Sequence, residues 1–347
     1  MSHLQGLLLS LLSLLSLLFI VQNLDGQDTI HHRPVFISKE ITRVGIGTDY
    51  HYTVQAMDSS GNPLLFSVKQ LPAWLSYNEA DHTISGKPLK AGQYPVQIQV
   101  SNQQAMAKQH FFLTVYNKQT SNILCLGNSL TNGTNKYNSY RRDLWQMLAA
   151  AHYNFDFIGS WNKHHMGGAV PDDDFDTDHD GHSGWTIDNM FTPPGWDSLR
   201  GNINKWLTDY KPDIVLIELG TNDVFQCVKV ADMINKLDQL VKTLRKKNNK
   251  IKIFIAQIPP LGQQWAAKKL CSTPIPYEDV IKDLNKQIGL YSQGANTKSS
   301  PVHAVDQFNG VNPATDMYDD IHPNDKGEKA MAQRWFDAIH VYLKKLP

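Results

Sequence analysis

The pattern of apolar and polar positions changes character near residue 120. Before that point, apolar residues alternate with polar ones in short runs such as Tyr50, Tyr52 and Val54. Turn sequences rich in glycine, proline and asparagine separate these runs. Alternation with a period of two is typical of strands that are buried on one face, and several such strands with regular turns predict a small β-sandwich. We place this all-β module at residues 34–117.

After residue 121, the chain alternates between continuous apolar runs and helical patterns. The apolar runs, which suit strands buried on both faces, are Ile123–Leu126, Phe155–Ile158, Ile214–Leu219, Ile251–Ile258 and Val302–Val305. Between them, apolar residues recur every three or four positions, as in amphipathic helices. The last helix pattern opens with a capping box in which Asp325 precedes Glu328 by three residues. These alternating elements predict an α/β domain, residues 121–347, with a parallel sheet covered by helices on both faces.

Residues 1–27 predict a secretory signal peptide. The apolar block Leu7–Val21 is followed by polar residues, and it is shorter than the roughly 18 apolar residues that a membrane span needs. No lysine or arginine precedes the block and no clear cleavage site follows it, so an uncleaved anchor remains an alternative. We expect a secreted protein whose mature chain does not span a membrane.

Charge and cysteine content narrow the function classes. The 347 residues contain 33 Lys+Arg and 33 Asp+Glu. The chain therefore has no net positive charge to attract phosphate groups, which argues against a nucleic-acid partner. Of the three cysteines, Cys125 lies in a predicted strand, whereas Cys227 and Cys271 follow predicted strands in loops. We predict a Cys227–Cys271 disulfide bond, which would fit an exported protein.

Candidate catalytic residues follow the predicted strands. Ser129 comes directly after the first strand, and three polar loops follow later strands at residues 179–188, 220–223 and 318–325. Because the carboxyl ends of parallel strands meet at one edge of the sheet, these segments are expected to lie together. They contain candidates for the nucleophile, the base, the residue that orients the base and the oxyanion donors that acyl transfer requires.

Four short segments carry a resemblance to a known family: Gly127-Asn128-Ser129-Leu130, Gly184, Gly220-Thr221-Asn222-Asp223 and Asp319-x-x-His322. In this order they resemble the four conserved blocks of the SGNH (GDSL-type) hydrolases, and the resemblance spans roughly residue 121 to the C-terminus. It implies a flavodoxin-like, three-layer α/β/α domain. The loops around Gly184 and His322 are most similar to those of acetylxylan-esterase-like carbohydrate esterases. The segment 71–94 resembles an Ig-like (cadherin-like) module.

The resemblance also implies roles for individual residues. Ser129 corresponds to the nucleophile, His322 to the base and Asp319 to the carboxylate that orients it. The oxyanion donors would be the backbone N–H groups of Ser129 and Gly184 and the side-chain amide of Asn222. Spacing alone leaves two rival orienting carboxylates open: Asp316 and Asp320. The family usually has aspartate at position 128, where this chain has asparagine.

Together these features predict a secreted serine esterase that removes acetyl groups from acetylated carbohydrate, such as xylan-like polysaccharide. The resemblance implies that the reaction needs no metal or organic cofactor. Trp161, Trp185, Trp196 and Trp265 are candidates for a sugar site, because aromatic rings stack against sugars, and of these we assign Trp185 to substrate binding. A lipase or lysophospholipase of the same superfamily is one alternative. The other is a non-catalytic extracellular protein that binds carbohydrate through its Ig-like module.

Two further sequence features bear on the loop that precedes Gly184 and on the nucleophile. The acidic segment 172–181 begins like a calcium-binding loop, but counting from Asp176 places Ile187 where the bidentate glutamate should be. We therefore expect a solvated acidic loop, with calcium, or zinc held by His179 and His182, as alternatives. Asn132 begins an N-glycosylation sequon, which we expect to be unused because a glycan would crowd Ser129.

Overall fold

The computed structural model describes residues 33–346 except 60, 103, 165–170, 270 and 272–274. The predicted signal peptide, residues 1–27, lies outside the described residues. Within this described part of the chain, no helix combines the length and the apolar character that crossing a membrane requires. The chain forms a β-sandwich followed by an α/β domain.

The sandwich has two main sheets and one short strand pair. Its strands are β1 (Val35–Phe36), β2 (Arg43–Gly45), β3 (Tyr50–Thr53), β4 (Ala56–Met57), β5 (Leu65–Gln70), β6 (Leu75–Asn78), β7 (Thr83–Gly86), β8 (Gly92–Ser101) and β9 (Met106–Tyr116). The sheet orders are β2-β9-β8-β5 and β3-β7-β6, and β1 pairs with β4. Alternate residues of β8, namely Val96, Ile98 and Val100, are buried, as a strand buried on one face requires.

The second domain is built on a parallel sheet. Its strands are β10 (Ser121–Gly127), β11 (Phe155–Ile158), β12 (Asp180–Gly181), β13 (Ile214–Glu218), β14 (Lys252–Gln257) and β15 (Val302–Asp306). The strand order is β11-β10-β13-β14-β15, and the short β12 pairs with the end of β10. Leaving β12 aside, the order in sequence terms is 2-1-3-4-5, which is the predicted flavodoxin-like arrangement.

Helices cover both faces of this sheet. They are α1 (Ser129–Asn132), α2 (Tyr140–Ala150), α3 (Ile203–Asp209), α4 (Thr221–Phe225), α5 (Val230–Lys247), α6 (Gln263–Ala266), α7 (Tyr277–Ala295) and α8 (Asp325–Ile339), with short 3₁₀ turns at Asp188–Met190, Gly195–Arg200 and His340–Tyr342. One apolar layer joins α3, α5 and α7 to Val215 and Ile217 of β13. The other joins α2 and α8 to Ile214 and Leu216 of the same strand. The predicted three-layer α/β/α fold is therefore confirmed.

The start of α8 differs from the prediction by one residue. Asn324, not Asp325, caps the helix, and its side-chain oxygen accepts hydrogen bonds from the N–H groups of Lys326 and Gly327 at 3.0 and 3.3 Å. Glu328 does not return to the cap. Its carboxyl group accepts a hydrogen bond from the backbone N–H of Ser139 at 2.8 Å instead, so it ties α8 to the start of α2.

The sandwich contacts the α/β domain at edge strand β11. The Arg43 guanidinium group lies 3.2 Å from a carboxylate oxygen of Asp156 in β11, and the side chain of Gln93 donates a hydrogen bond to the backbone carbonyl of Phe155 at 2.8 Å. Thr42 donates to the carboxylate of Asp178 at 3.2 Å. An edge strand has backbone groups that no neighbouring strand pairs. The side chain of Gln93 provides a hydrogen-bond partner for one of them.

Candidate active site

The nucleophile candidate is the first residue of α1, directly after the turn that follows β10. Asn128 caps α1 by accepting a hydrogen bond from the N–H of Leu130 at 2.9 Å. A side chain at Gly127 would place its Cβ 2.7 Å from the carbonyl oxygen of Glu218, so only glycine lets the turn approach β13 so closely. The turn leaves Ser129 at the first position of α1, where the backbone N–H groups have no partner within the helix. The asparagine at position 128 thus keeps the capping role without the charge.

A chain of hydrogen bonds connects Ser129 to His322 and Asp319. The imidazole Nε2 of His322 lies 2.9 Å from Ser129 Oγ, and its Nδ1 lies 2.8 Å from Asp319 Oδ2. The other Asp319 oxygen accepts hydrogen bonds from the N–H groups of His322 and Ile321 at 2.7 and 3.1 Å. Partial burial raises the pKa of Asp319, but these hydrogen bonds and the nearby imidazole outweigh burial and keep its pKa below the usual range.

The two rival carboxylates have other partners. Asp316 forms an ion pair with Lys326 at 2.7 Å and accepts hydrogen bonds from Thr315 and from the N–H of Asn312. Asp320 has a left-handed backbone conformation, with a φ of 64°, and its carbonyl oxygen accepts a hydrogen bond from Gly262. Of the three carboxylates that spacing left open, Asp319 is the one that the structure places against the imidazole.

The three predicted oxyanion residues surround one cavity. Ser129, Gly184 and Asn222 line a cavity of about 520 Å³ together with Phe225, Tyr318, Ile321 and His322. The side-chain amide of Asn222 donates one N–H to the backbone carbonyl of Trp185 at 3.0 Å, which fixes the orientation of the amide. Gly184 has a φ of 80°, a conformation that favours glycine because other residues are strained there.

Buried polar contacts hold the loop that carries Gly184. Asn132 in α1 donates a hydrogen bond to the hydroxyl group of Ser183 at 2.9 Å. The carboxyl group of Asp223 in α4 accepts from the backbone N–H of Ile187, with distances of 3.2 and 3.1 Å to its two oxygens. Burial raises the pKa of Asp223 to about 7, although the Ile187 hydrogen bond opposes the rise. Asn132 is buried, so a glycan on its amide would be incompatible with this packing.

The prediction that Trp185 binds substrate is wrong. Its side chain is fully buried and stacks on the imidazole of His182, with ring centroids 4.2 Å apart. Its indole N–H donates to the carboxylate of Asp197 at 3.0 Å. The side chain lies in the apolar layer beneath the loop because a ring of this size is more stable there than in water. Its backbone carbonyl still serves the site by holding Asn222.

Sequence analysis missed Tyr318, which lines the same cavity. Its ring stacks on the imidazole of His322, with centroids 5.8 Å apart and planes at 24°. Its backbone N–H also donates to the carbonyl of His322 at 3.0 Å. The position next to Asp319 was the available signal, but a tyrosine in a polar loop gives no indication of which way its ring faces.

The acidic loop provides no ligand set for a metal among the residues that the structure describes. Asp173 pairs with His110, whereas Asp172 and Asp174 both pair with Arg142. The expectation of a solvated loop is wrong for Asp176 and Asp180, which are buried because the loop packs against the end of β10.

Both ring nitrogens of His179 are hydrogen-bonded to the backbone, one to the carbonyl of Lys163 and the other to the N–H of Gly181. The imidazole of His182 stacks on the rings of Trp185 and Trp206. Burial is the main cause that lowers the pKa of His179.

A disulfide bond joins Cys227 and Cys271, with an S–S distance of 1.98 Å and Cα atoms 5.6 Å apart. It connects the segment after α4 to the segment before α7. The bond therefore restrains the chain next to Phe225, the last residue of α4, whose side chain lines the cavity. Cys125 is a buried free thiol. Burial raises the pKa of that thiol to about 12, so the unreactive protonated form prevails at neutral pH.

Glu218, the last residue of β13, carries a fully buried carboxyl group. Neither of its oxygens has a hydrogen-bond partner among the described residues, and burial raises its pKa to about 8. The pKa of a glutamate in an unfolded chain is about 4.3. Between these pH values the unfolded chain releases a proton that the folded chain keeps, so the contribution of Glu218 to the free energy of unfolding falls as the pH rises, by up to about 1.4 kcal/mol per pH unit.

We expect Glu218→Gln to remove this contribution. The free energies of unfolding of the variant and the wild type should be closest near pH 4.5, and the variant should become the more stable protein as the pH rises to 8. Urea unfolding at several pH values measures the difference. Glu79→Gln, at an exposed turn of the sandwich, is the control and should show no comparable trend. A Glu218→Gln difference that stays constant with pH would contradict the interpretation.

Comparison with known proteins gives matches over both domains. The GDSL-like Lipase/Acylhydrolase family model matches residues 125–330, and an Ig domain family model matches residues 33–116. The multidomain esterase of Ruminococcus flavefaciens is 30% identical over 238 residues, which cover 65% of this chain and 29% of that protein. This chain therefore spans less than a third of that relative's length.

Two solved structures are similar to the α/β domain. A carbohydrate esterase family 3 protein from Talaromyces cellulolyticus is 26% identical with a TM-score of 0.52, and the match covers 64% of this chain and 98% of that one. An acetyl esterase variant crystallised with an acetate ion gives the same identity, TM-score and coverage.

Proposed function

Since the chain belongs to the GDSL-like lipase/acylhydrolase family, we propose that it is a secreted serine esterase that removes acetyl groups from acetylated polysaccharide through an acyl-enzyme on Ser129. The observation that carries this proposal is the hydrogen-bonded chain from Ser129 Oγ through His322 to Asp319. Ser129 and His322 line the same cavity as Gly184 and Asn222. The arrangement provides a nucleophile, a base, an orienting carboxylate and oxyanion donors in one place.

The first step transfers the acetyl group to the enzyme. Ser129 Oγ attacks the ester carbonyl carbon while His322 Nε2 takes the serine proton, and Asp319 stabilises the imidazolium that forms. The carbonyl oxygen becomes an oxyanion, which accepts hydrogen bonds from the N–H groups of Ser129 and Gly184 and from the second N–H of the Asn222 amide. The bond to the sugar oxygen then breaks, and His322 returns the proton to that oxygen, so the sugar leaves with a free hydroxyl group.

The second step releases acetate. A water molecule gives a proton to His322 and attacks the carbonyl carbon of acetyl-Ser129. The same three donors stabilise the second oxyanion. Ser129 Oγ then leaves with the proton from His322, and the enzyme returns to its starting state. This cycle uses groups of the protein and water alone.

The preference for acetate is proposed on the basis of the relatives, of which one is an acetyl esterase crystallised with an acetate ion. We expect kcat/KM for p-nitrophenyl acetate to exceed that for p-nitrophenyl octanoate by at least about tenfold, the discrimination that even a single mismatched methylene can produce. Initial rates across the acetate, butyrate and octanoate esters measure this preference. A preference for octanoate would favour the lipase alternative instead.

A carbohydrate substrate and secretion are supported separately. The similar structure from Talaromyces cellulolyticus is a carbohydrate esterase, and polar Asn135 and Lys136 line the cavity beside Tyr318, where they can bond sugar hydroxyl groups. The Cys227–Cys271 disulfide suits an oxidising compartment outside the cytoplasm. Acetate release from acetylated xylan and from acetylated mannan, measured side by side, tests the substrate class.

A further inference from the structure

A second, smaller groove lies next to the loop that carries Gly184. It has a volume of about 400 Å³ and is lined by Trp161 and by the 3₁₀ turn Gly195–Leu199. Trp196 in this turn is 69% exposed, whereas Trp185 and Trp206 nearby are buried. Leaving the large ring of Trp196 in water forgoes the free energy that its burial would supply. An exposed ring of this size beside the partly buried Trp161 in a groove indicates a binding surface.

The backbone segments that carry both tryptophans are anchored independently of any ligand. Trp161 exchanges two backbone hydrogen bonds with His179, at 3.1 and 2.7 Å. The turn that carries Trp196 is held by Asp197, whose carboxylate accepts the indole N–H of Trp185 at 3.0 Å. The backbone N–H of Asp197 also donates to the carbonyl of Pro194 at 2.8 Å. A ligand would therefore meet a groove whose backbone is already ordered, which lowers the entropic cost of binding.

The groove adjoins the catalytic cavity through Gly184. The outer carbons of the Trp196 ring lie 3.6 and 3.7 Å from the position where a Cβ atom on Gly184 would stand. Gly184 itself lines the cavity that contains Ser129 and His322. A chain-like substrate whose acetyl ester reaches Ser129 can therefore extend over Gly184 onto Trp196.

We propose that the groove formed by Trp161 and Trp196 binds the pyranose units that flank the acetylated sugar of a polysaccharide chain. This inference rests on the proposed function and adds a binding site for the polymer. The C–H face of a pyranose ring is apolar and stacks on an indole, while its hydroxyl groups need polar partners, and Ser198 is a polar residue of the lining. The groove thus distinguishes a polysaccharide from a small acetyl ester, which occupies the catalytic cavity alone.

The kinetic test compares two substrates of the same enzyme. Trp196→Ala should lower kcat/KM for acetylated xylan at least roughly tenfold more than kcat/KM for p-nitrophenyl acetate, a difference of about 1.4 kcal/mol. Trp196→Phe keeps an aromatic face and should recover part of the loss. Leu89→Ala, which removes a side chain that is 84% exposed on the sandwich, is the matched control and should leave the ratio of the two kcat/KM values unchanged.

The binding test does not require catalysis. Calorimetric titration of the Ser129→Ala protein with xylohexaose, cellohexaose and mannohexaose should show binding of at least one oligosaccharide, weakened roughly tenfold or more when Trp196→Ala is added. Binding by none of the three, or binding that Trp196→Ala does not change, would overturn the inference. An unchanged kcat/KM ratio in the kinetic test would also overturn it. If the wild type hydrolysed no acetyl ester while binding still depended on Trp196, the proposed catalytic function would fail and the binding site would stand.

Discussion

Replacing Ser129 with alanine is expected to lower kcat for p-nitrophenyl acetate by roughly 10⁴- to 10⁶-fold, the loss that follows removal of the nucleophile in serine hydrolases. The variant loses the atom that would form the acyl-enzyme, while Asn128 still caps α1 through its own side chain. We therefore expect the variant to fold as the wild type does, with an unchanged melting temperature to within a few degrees. The residual rate should reflect only the oxyanion donors and substrate binding.

Initial-rate kinetics and thermal unfolding of the two proteins measure this effect. Ser76→Ala, in β6 of the sandwich, is the control, because its hydroxyl group donates to the carbonyl of Ser85 in the neighbouring strand and takes no part in the catalytic site. It should retain wild-type kcat. A Ser129→Ala protein that is folded and keeps more than a small fraction of the wild-type kcat would assign the nucleophile to another residue.

The second large effect is expected from Asp319→Asn, which should lower kcat by about 10³- to 10⁴-fold. The asparagine amide can donate a hydrogen bond to Nδ1 of His322, which moves the imidazole proton to Nε2, the atom that must accept the proton of Ser129. The imidazolium also loses the negative charge that stabilises it. Because the exchange keeps the size of the side chain, KM should change much less than kcat.

Asp320→Asn is the matched control for this prediction. Asp320 is adjacent in sequence and was an equally acceptable orienting carboxylate by spacing, but it contacts Gly262 and not the imidazole. Asparagine also tolerates the left-handed conformation of that position. We expect Asp320→Asn to retain kcat within a few fold. An effect on kcat that is larger for Asp320→Asn than for Asp319→Asn would show that the orienting role was assigned to the wrong carboxylate.

The sequence could predict that the site residues lie close together, because the order of the strands in the sheet places them at one edge. Ser129 and Asn222 follow β10 and β13, which are adjacent in the sheet although far apart in sequence. They lie at the point where the strand order reverses, which is where ligands bind in open α/β sheets. Continuous apolar runs identified both strands, and a parallel sheet then requires that their ends meet. A resemblance to a known family supplied what topology does not, namely the choice of Asp319 among three carboxylates.

The direction of individual side chains could not be predicted in the same way. Trp185 and Trp196 both lie in polar segments rich in glycine and proline, yet one is buried in the apolar layer and the other is exposed. What separates them is the packing of Trp185 beside Trp206 of α3, with ring centroids 6.0 Å apart, a contact between residues distant in sequence that forms only when the loop packs against that helix. Glu218 is a similar case, because a single glutamate at the end of an apolar run gives no sign that both carboxyl oxygens will be buried.

The most direct test of the central claim is covalent labelling of the nucleophile. A fluorophosphonate transfers its phosphonyl group to an activated serine with loss of fluoride, and peptide mass spectrometry then locates the modified residue. We predict a single modification at Ser129, in parallel with complete loss of activity on p-nitrophenyl acetate, and no modification of the Ser129→Ala protein. Loss of activity with the label on a different residue, or full activity after complete labelling of Ser129, would contradict the assignment of Ser129 as the catalytic nucleophile.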